Sequence, residues 1–155
     1  MSWTSIGHGC AAGAVGVTAL NAVTYADMAF RARPASETPS QAVENLAQTA
    51  GVQIPGEGQE RDNRLAGLGP LSGIATGVAV GVAGSVLLPV LRRLPAPLAA
   101  ATLGAIAMLA ANGPLVTMGL TKPRDWSTSD WLSDVVPHLA YGAATYAVLA
   151  SLDDH

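Results

Sequence analysis

Charge is missing from four long stretches of this chain, and that absence constrains the fold more than any motif does. No Asp, Glu, Lys or Arg occurs in residues 1–26, 65–91, 94–121 or 135–152, gaps of 26, 27, 28 and 18 residues. A helix rises about 1.5 Å per residue, so roughly 20 apolar residues cross a hydrocarbon core roughly 30 Å thick. Each gap holds one crossing, the last only just. Only 12% of the 155 residues are charged, about half of what a soluble domain uses to cover its surface. The reading is an all-α protein: an integral membrane four-helix bundle forming one membrane domain over residues 1–155.

The crossings fall at about 6–30, 65–91, 98–120 and 130–152. The first could be mistaken for a secretory signal, but no Lys or Arg precedes its apolar run, so cleavage is not expected. It ends in Arg31-Ala32-Arg33-Pro34, a basic flank and a helix stop. Residues 34–64 form the hydrophilic loop. Within it Thr38 reads as an N-cap, Pro39 as the first helical residue and Gln41 as the partner in a capping box. Ala42, Val43, Leu46, Ala47 and Ala50 then share a face before Gly51, which predicts a short amphipathic helix packed on the protein or lying on the bilayer.

Arg92 and Arg93 close the second crossing, and a proline turn at residues 94–97 opens the third. Asn112-Gly113-Pro114 interrupts that helix and predicts a kink. Ser127 and Asp130 form a second capping box before the last helix, in which Pro137 predicts a bend. Arg31, Arg33, Arg61, Arg64, Lys122 and Arg124 lie on one side of this topology, against Arg92 and Arg93 on the other. Short loops rich in Lys and Arg stay cytoplasmic, which places loops 31–64 and 121–129 inside and both termini outside. Trp126 and Trp131 mark the cytoplasmic interface and Trp3 the other.

Residues 67–81 carry five glycines and a serine: Gly67, Gly69, Ser72, Gly73, Gly77 and Gly81. A dinucleotide fingerprint needs glycine where Ser72 stands and a preceding strand, whereas the residues before Gly67 are polar without alternation. No Gly-Lys-Ser/Thr follows, so a phosphate loop is excluded. Gly69, Gly73, Gly77 and Gly81 are instead spaced four apart, extended by Gly84 and Ser85. On a helix they form a ridge without side chains, the glycine-zipper pattern by which membrane helices approach closely. Gly9, Gly13 and Gly16 make a matching face on the first helix. The two faces can meet within one chain or between chains.

Polar groups inside a membrane are costly and face the bundle interior, so they are the candidate functional residues. Asp27 stands four residues before Arg31 and suits an ion pair with it. Asp134, His138 and Tyr141 lie on one face of the last helix, with Thr145 beyond them, and His155 is terminal with no evident partner. Asp27 and His138 share a depth and could meet, with Asn112, Thr117 and Ser72 in the same half of the bilayer. Such a pair could relay protons or sense pH. A hydrogen-bonded histidine near the interface is the plainer alternative.

Catalytic motifs are not found: the chain has no His-Glu-x-x-His, no Gly-x-Ser-x-Gly and no metal-spaced cluster. Cys10 stands alone, so neither an intrachain disulfide nor a thiolate cage is possible. A net charge of −3 offers no basic surface for nucleic acid. No cofactor is expected.

The run from Asn21 to Pro39, the Arg61-Asp62-Asn63-Arg64 segment before the glycine helix, and Pro137 to Gly142 together resemble small uncharacterised multi-pass, four-helix membrane proteins of actinobacteria. The resemblance implies a membrane location and no activity. The expectation is a non-enzymatic protein of a bacterial plasma membrane. It self-associates or serves as an accessory or structural subunit of a larger membrane complex, with the lipid bilayer and other membrane subunits as partners. The alternative is a small channel or proton-coupled transporter built on an intramembrane Asp/His pair.

Overall fold

A computed structural model describes residues 3–153, without the side chain of residue 153; His155 lies outside the described residues. The chain is all-α: α1 (Trp3–Arg31), α2 (Thr38–Thr49), α3 (Gly58–Leu91), α4 (Ala96–Thr117) and α5 (Thr128–Asp153), with a 3-10 turn at Pro123–Asp125. Four of these helices, all but α2, are long and apolar enough to cross a membrane. The chain is therefore a four-helix membrane bundle.

Antiparallel contacts set its order. Helix α1 lies between α3 and α5, and α4 packs mainly on the other side of α5. The core is built from alanine, valine and leucine with one aromatic ring: Ala12, Leu88, Leu91, Ala99, Leu103 and Leu149 at one end, and Val80, Ala107 and Tyr141 further along. Large apolar side chains such as Phe30, Leu71, Ile74 and Leu109 point outward. A water-soluble protein would bury them, whereas in lipid they lose nothing by exposure and small residues let the backbones close.

Helix α3 begins at Gly58 rather than at Leu65. Its 34 residues give a length of about 51 Å, so its polar first turns project beyond a hydrocarbon core of roughly 30 Å. Helix α2 folds back on this extension. Arg61 bonds Glu44 at 2.7 Å, and the Ser40 hydroxyl donates to the Leu65 carbonyl at 3.1 Å. The amphipathic helix thus packs on its own protein.

The start of α2 differs from the expected capping box. Glu37 occupies the N-cap in a helical conformation, and no side chain caps the helix. The turn has begun one residue early, so Gln41 makes an ordinary helical bond to the Glu37 carbonyl, and the Thr38 amide donates to the Ser36 hydroxyl at 3.2 Å. At α5 the expected box is present: the Ser127 amide donates to Asp130 at 2.9 Å, and the Asp130 amide donates back to the Ser127 hydroxyl at 3.2 Å.

Two helices stop through a left-handed glycine. Gly51 (φ 67°) follows α2 and Gly119 (φ 72°) follows α4. In each, the glycine's own amide and the one after it reach back to last-turn carbonyls, the arrangement that satisfies a helix C-terminus. That stop ends α4 at Thr117, not Leu120. Ala32 takes the same role after α1 with φ 50°, although it is not glycine.

Candidate functional site

Helix α5 carries a series of polar groups, Ser129, Ser133, Asp134, His138, Tyr141 and Thr145, and the other helices supply partners at three levels.

At the first level Asp27 accepts hydrogen bonds of 2.6 Å from Arg31 Nε and Nη2 and from Arg33 Nε. The Ser133 hydroxyl approaches the same carboxylate at 3.4 Å, and Arg31 also donates to the hydroxyls of Ser129 and Ser133. This knot ties the end of α1 to the start of α5. The expected Asp27–Arg31 pair is there, with Arg33 as a second cation.

The second level faces α4. Asn112 Nδ2 donates to Asp134 at 2.7 Å. His138 Nδ1 lies 2.7 Å from the Asp134 main-chain carbonyl and 3.4 Å from its carboxylate. Both neighbours are acceptors, so Nδ1 carries the proton. His138 is almost fully buried and Asp134 mostly so.

Asp27 and His138 therefore sit in separate clusters. Ser133 and Asp134 are consecutive, and consecutive helical residues diverge by about 100°. Ser133 faces α1, Asp134 and His138 face α4, and the shared depth does not bring the two candidates together. Ser72 and Thr117 stay outside as well. Their hydroxyls donate to Gly69 and Pro114, carbonyls of their own helices, the usual resort of a hydroxyl in an apolar helix.

The third level is the bundle centre. Tyr141, 1% exposed, donates its hydroxyl to the Gly77 carbonyl at 2.6 Å. A Cβ at Gly16 would stand 2.8 Å from two Tyr141 ring carbons, so a glycine makes room for that ring. Thr145, fully buried, lies against Gly16.

The glycines divide by neighbour. Gly9 and Gly13 face Gly77, Val78, Gly81 and Val82 across the α1–α3 seam, and a Cβ at Gly81 would lie 2.5 Å from Gly13 Cα. The two faces meet within the chain. Gly69 instead supports α2, where a Cβ would stand 2.8 Å from the Ser40 amide nitrogen. Gly73 is exposed with nothing within 4 Å of its Cβ position. A straight helix drifts away from a strict four-residue spacing, so not every member of the ridge can face one partner.

A second close contact was not singled out from the sequence. A Cβ at Gly104 would stand 2.6 Å from the His138 carbonyl, and Gly142 lies against Ala100 and Gly104. Isolated glycines inside apolar helices are the available signal, since each weakens its helix unless packing requires it.

Among the described residues no group of three His, Cys, Asp or Glu is placed to hold a metal ion. The arrangement can bind helices together and hold one proton on His138 beside a carboxylate. Comparison with family models, with curated proteins and with solved structures finds no match to this chain. The resemblance noted from sequence accordingly supports a multi-pass membrane protein and no narrower family.

Proposed function

We propose that this protein acts without catalysis in a bacterial plasma membrane, assembling with copies of itself or serving as an accessory subunit of a larger membrane complex. The observation that supports this best is how few residues of each spanning helix are buried in its own bundle, between 22% and 28% of an 18-residue apolar stretch. Helix α4 is the least covered and packs mainly on α5, which leaves a broad apolar flank for lipid or other subunits. The glycine seams are satisfied inside the chain, so assembly would use the outer apolar faces instead.

The orientation proposed from the basic residues puts the Asp27–Arg31 knot, α2 and the 3-10 turn at the cytoplasmic face, with both termini outside. Crosslinking in native membranes, followed by native mass spectrometry from mild detergent, tests the assembly. A dimer, a higher oligomer or a stoichiometric co-purifying membrane subunit is expected. A lone monomer overturns the proposal.

A second reading, a small channel or proton-coupled transporter, draws on the Asn112–Asp134–His138 cluster, where a buried histidine adjoins a carboxylate. It no longer involves Asp27. Proton flux into liposomes that is abolished by His138→Ala would favour it, and flux equal to that of protein-free vesicles removes it.

A further inference from the structure

We propose that a groove beside α4 holds one anionic phospholipid, with an acyl chain along the helix and the phosphate against Lys122 and Arg124. The groove runs from Val116 back past Gly113 to Met108, about 12 Å of helix. Trp126 and Trp131 form the opposite wall, and the lining is apolar except for Asn112, whose amide is engaged with Asp134. Leu109, 71% exposed, stands along it.

The wall is fixed before any ligand arrives. Trp126 donates its indole N–H to the Thr121 hydroxyl at 2.9 Å, and Trp131 meets it edge-on with ring centroids 4.9 Å apart. A cleft of this shape and polarity fits a flexible hydrocarbon chain, and paired indoles suit the boundary between acyl chains and headgroups.

Charge selects the headgroup. Pro123 lines the groove, and its chain neighbours Lys122 and Arg124 are exposed. The other basic side chains at this end are already engaged: Arg31 and Arg33 with Asp27, Arg61 with Glu44, and Arg64 with Glu60. Lys122 and Arg124 make no ion pair among the described residues, while Asp130 is occupied by Ser127. Asp125 adds one negative charge, so the 122–125 turn keeps a net charge of +1. Two exposed cations flanking a lining residue of an apolar cleft match a phosphodiester bearing a net negative charge better than a zwitterion. The site needs no second subunit and stands whether or not the chain assembles.

The test uses the full chain in nanodiscs of phosphatidylcholine and phosphatidylglycerol in equal parts, released for native mass spectrometry. One phosphatidylglycerol per chain should be retained in preference to phosphatidylcholine. The double variant Lys122→Ala/Arg124→Ala should lower that preference about tenfold. Gly113→Leu puts a side chain into the groove from a position whose Cβ meets nothing within 4 Å, so it should lower retention of both lipids while helix content stays constant. Equal retention of the two lipids by the wild-type chain overturns the proposal. So does retention that either variant leaves unchanged.

Discussion

Tyr141 and Gly77 lie 64 residues apart in sequence and join at 2.6 Å, the phenol of α5 donating to a carbonyl of α3 at the centre of the bundle. The bond and the ring contribute separately, and two substitutions separate them. Tyr141→Phe keeps the ring and loses the donor, so it should cost about 1 kcal/mol. Tyr141→Ala leaves a cavity between Gly16 and Gly77 and should cost about 3 kcal/mol or more. Reversible unfolding in mixed detergent micelles measures both.

The α1–α3 seam predicts opposite outcomes for two glycines of the same helix. Gly81→Ala places a methyl group 2.5 Å from the Gly13 backbone, where nothing flexible can yield, and should destabilise by about 2 kcal/mol or more. Gly73→Ala meets nothing and should stabilise by up to about 1 kcal/mol through helix propensity. The same unfolding assay compares them, and equal effects would contradict the seam.

Ala32 holds a left-handed backbone at φ 50°, which strains any residue with a Cβ. Ala32→Gly should raise stability by about 0.5–1 kcal/mol, the relief being partly offset by a freer unfolded chain. Thermal denaturation of the two proteins in one detergent gives the sign.

Removing the carboxylate of Asp27 takes away the ion-pair partner that Arg31 and Arg33 share. Because this knot is partly exposed, Asp27→Asn should act locally rather than globally. Amide exchange should quicken at the end of α1 and the start of α5 and stay unchanged around Tyr141. Raising the salt concentration should shrink the difference between variant and wild type.

Asn112, on α4, donates a hydrogen bond to Asp134 across the α4–α5 contact. Asn112→Leu should cost about 1 kcal/mol or more, because the carboxylate keeps its burial and loses a donor. If the cluster also serves transport, the same variant changes proton flux; if it is structural, only stability moves.

Much of the architecture could be read from where charges are missing, since a hydrocarbon core enforces length and apolarity residue by residue. Helix ends were less legible. At α2 a one-residue shift moved the cap from Thr38 to Glu37, and the α4 terminus depended on Gly119 adopting a left-handed turn. The polar residues could be named but not paired. Asp27 and His138 share a depth, yet the rotation between Ser133 and Asp134 sends them to different neighbours, and rotation about α5 depends on packing. Gly104 and Gly142 escaped notice because a single glycine carries no periodic signal. Gly73 belonged to a signal that its position in the fold does not use.

The seams between α1 and α3 and between α4 and α5 are made of main chain against main chain. Contacts of that kind ask for no particular side chain, only for its absence. Tolerance to mutation should therefore be lopsided: apolar exchanges among outward residues such as Leu71, Ile74 and Leu109 change little, while adding one methyl group at Gly81 or Gly104 forces two helices apart. The outer surface is free to adapt to a new lipid or a new subunit while the interior stays fixed.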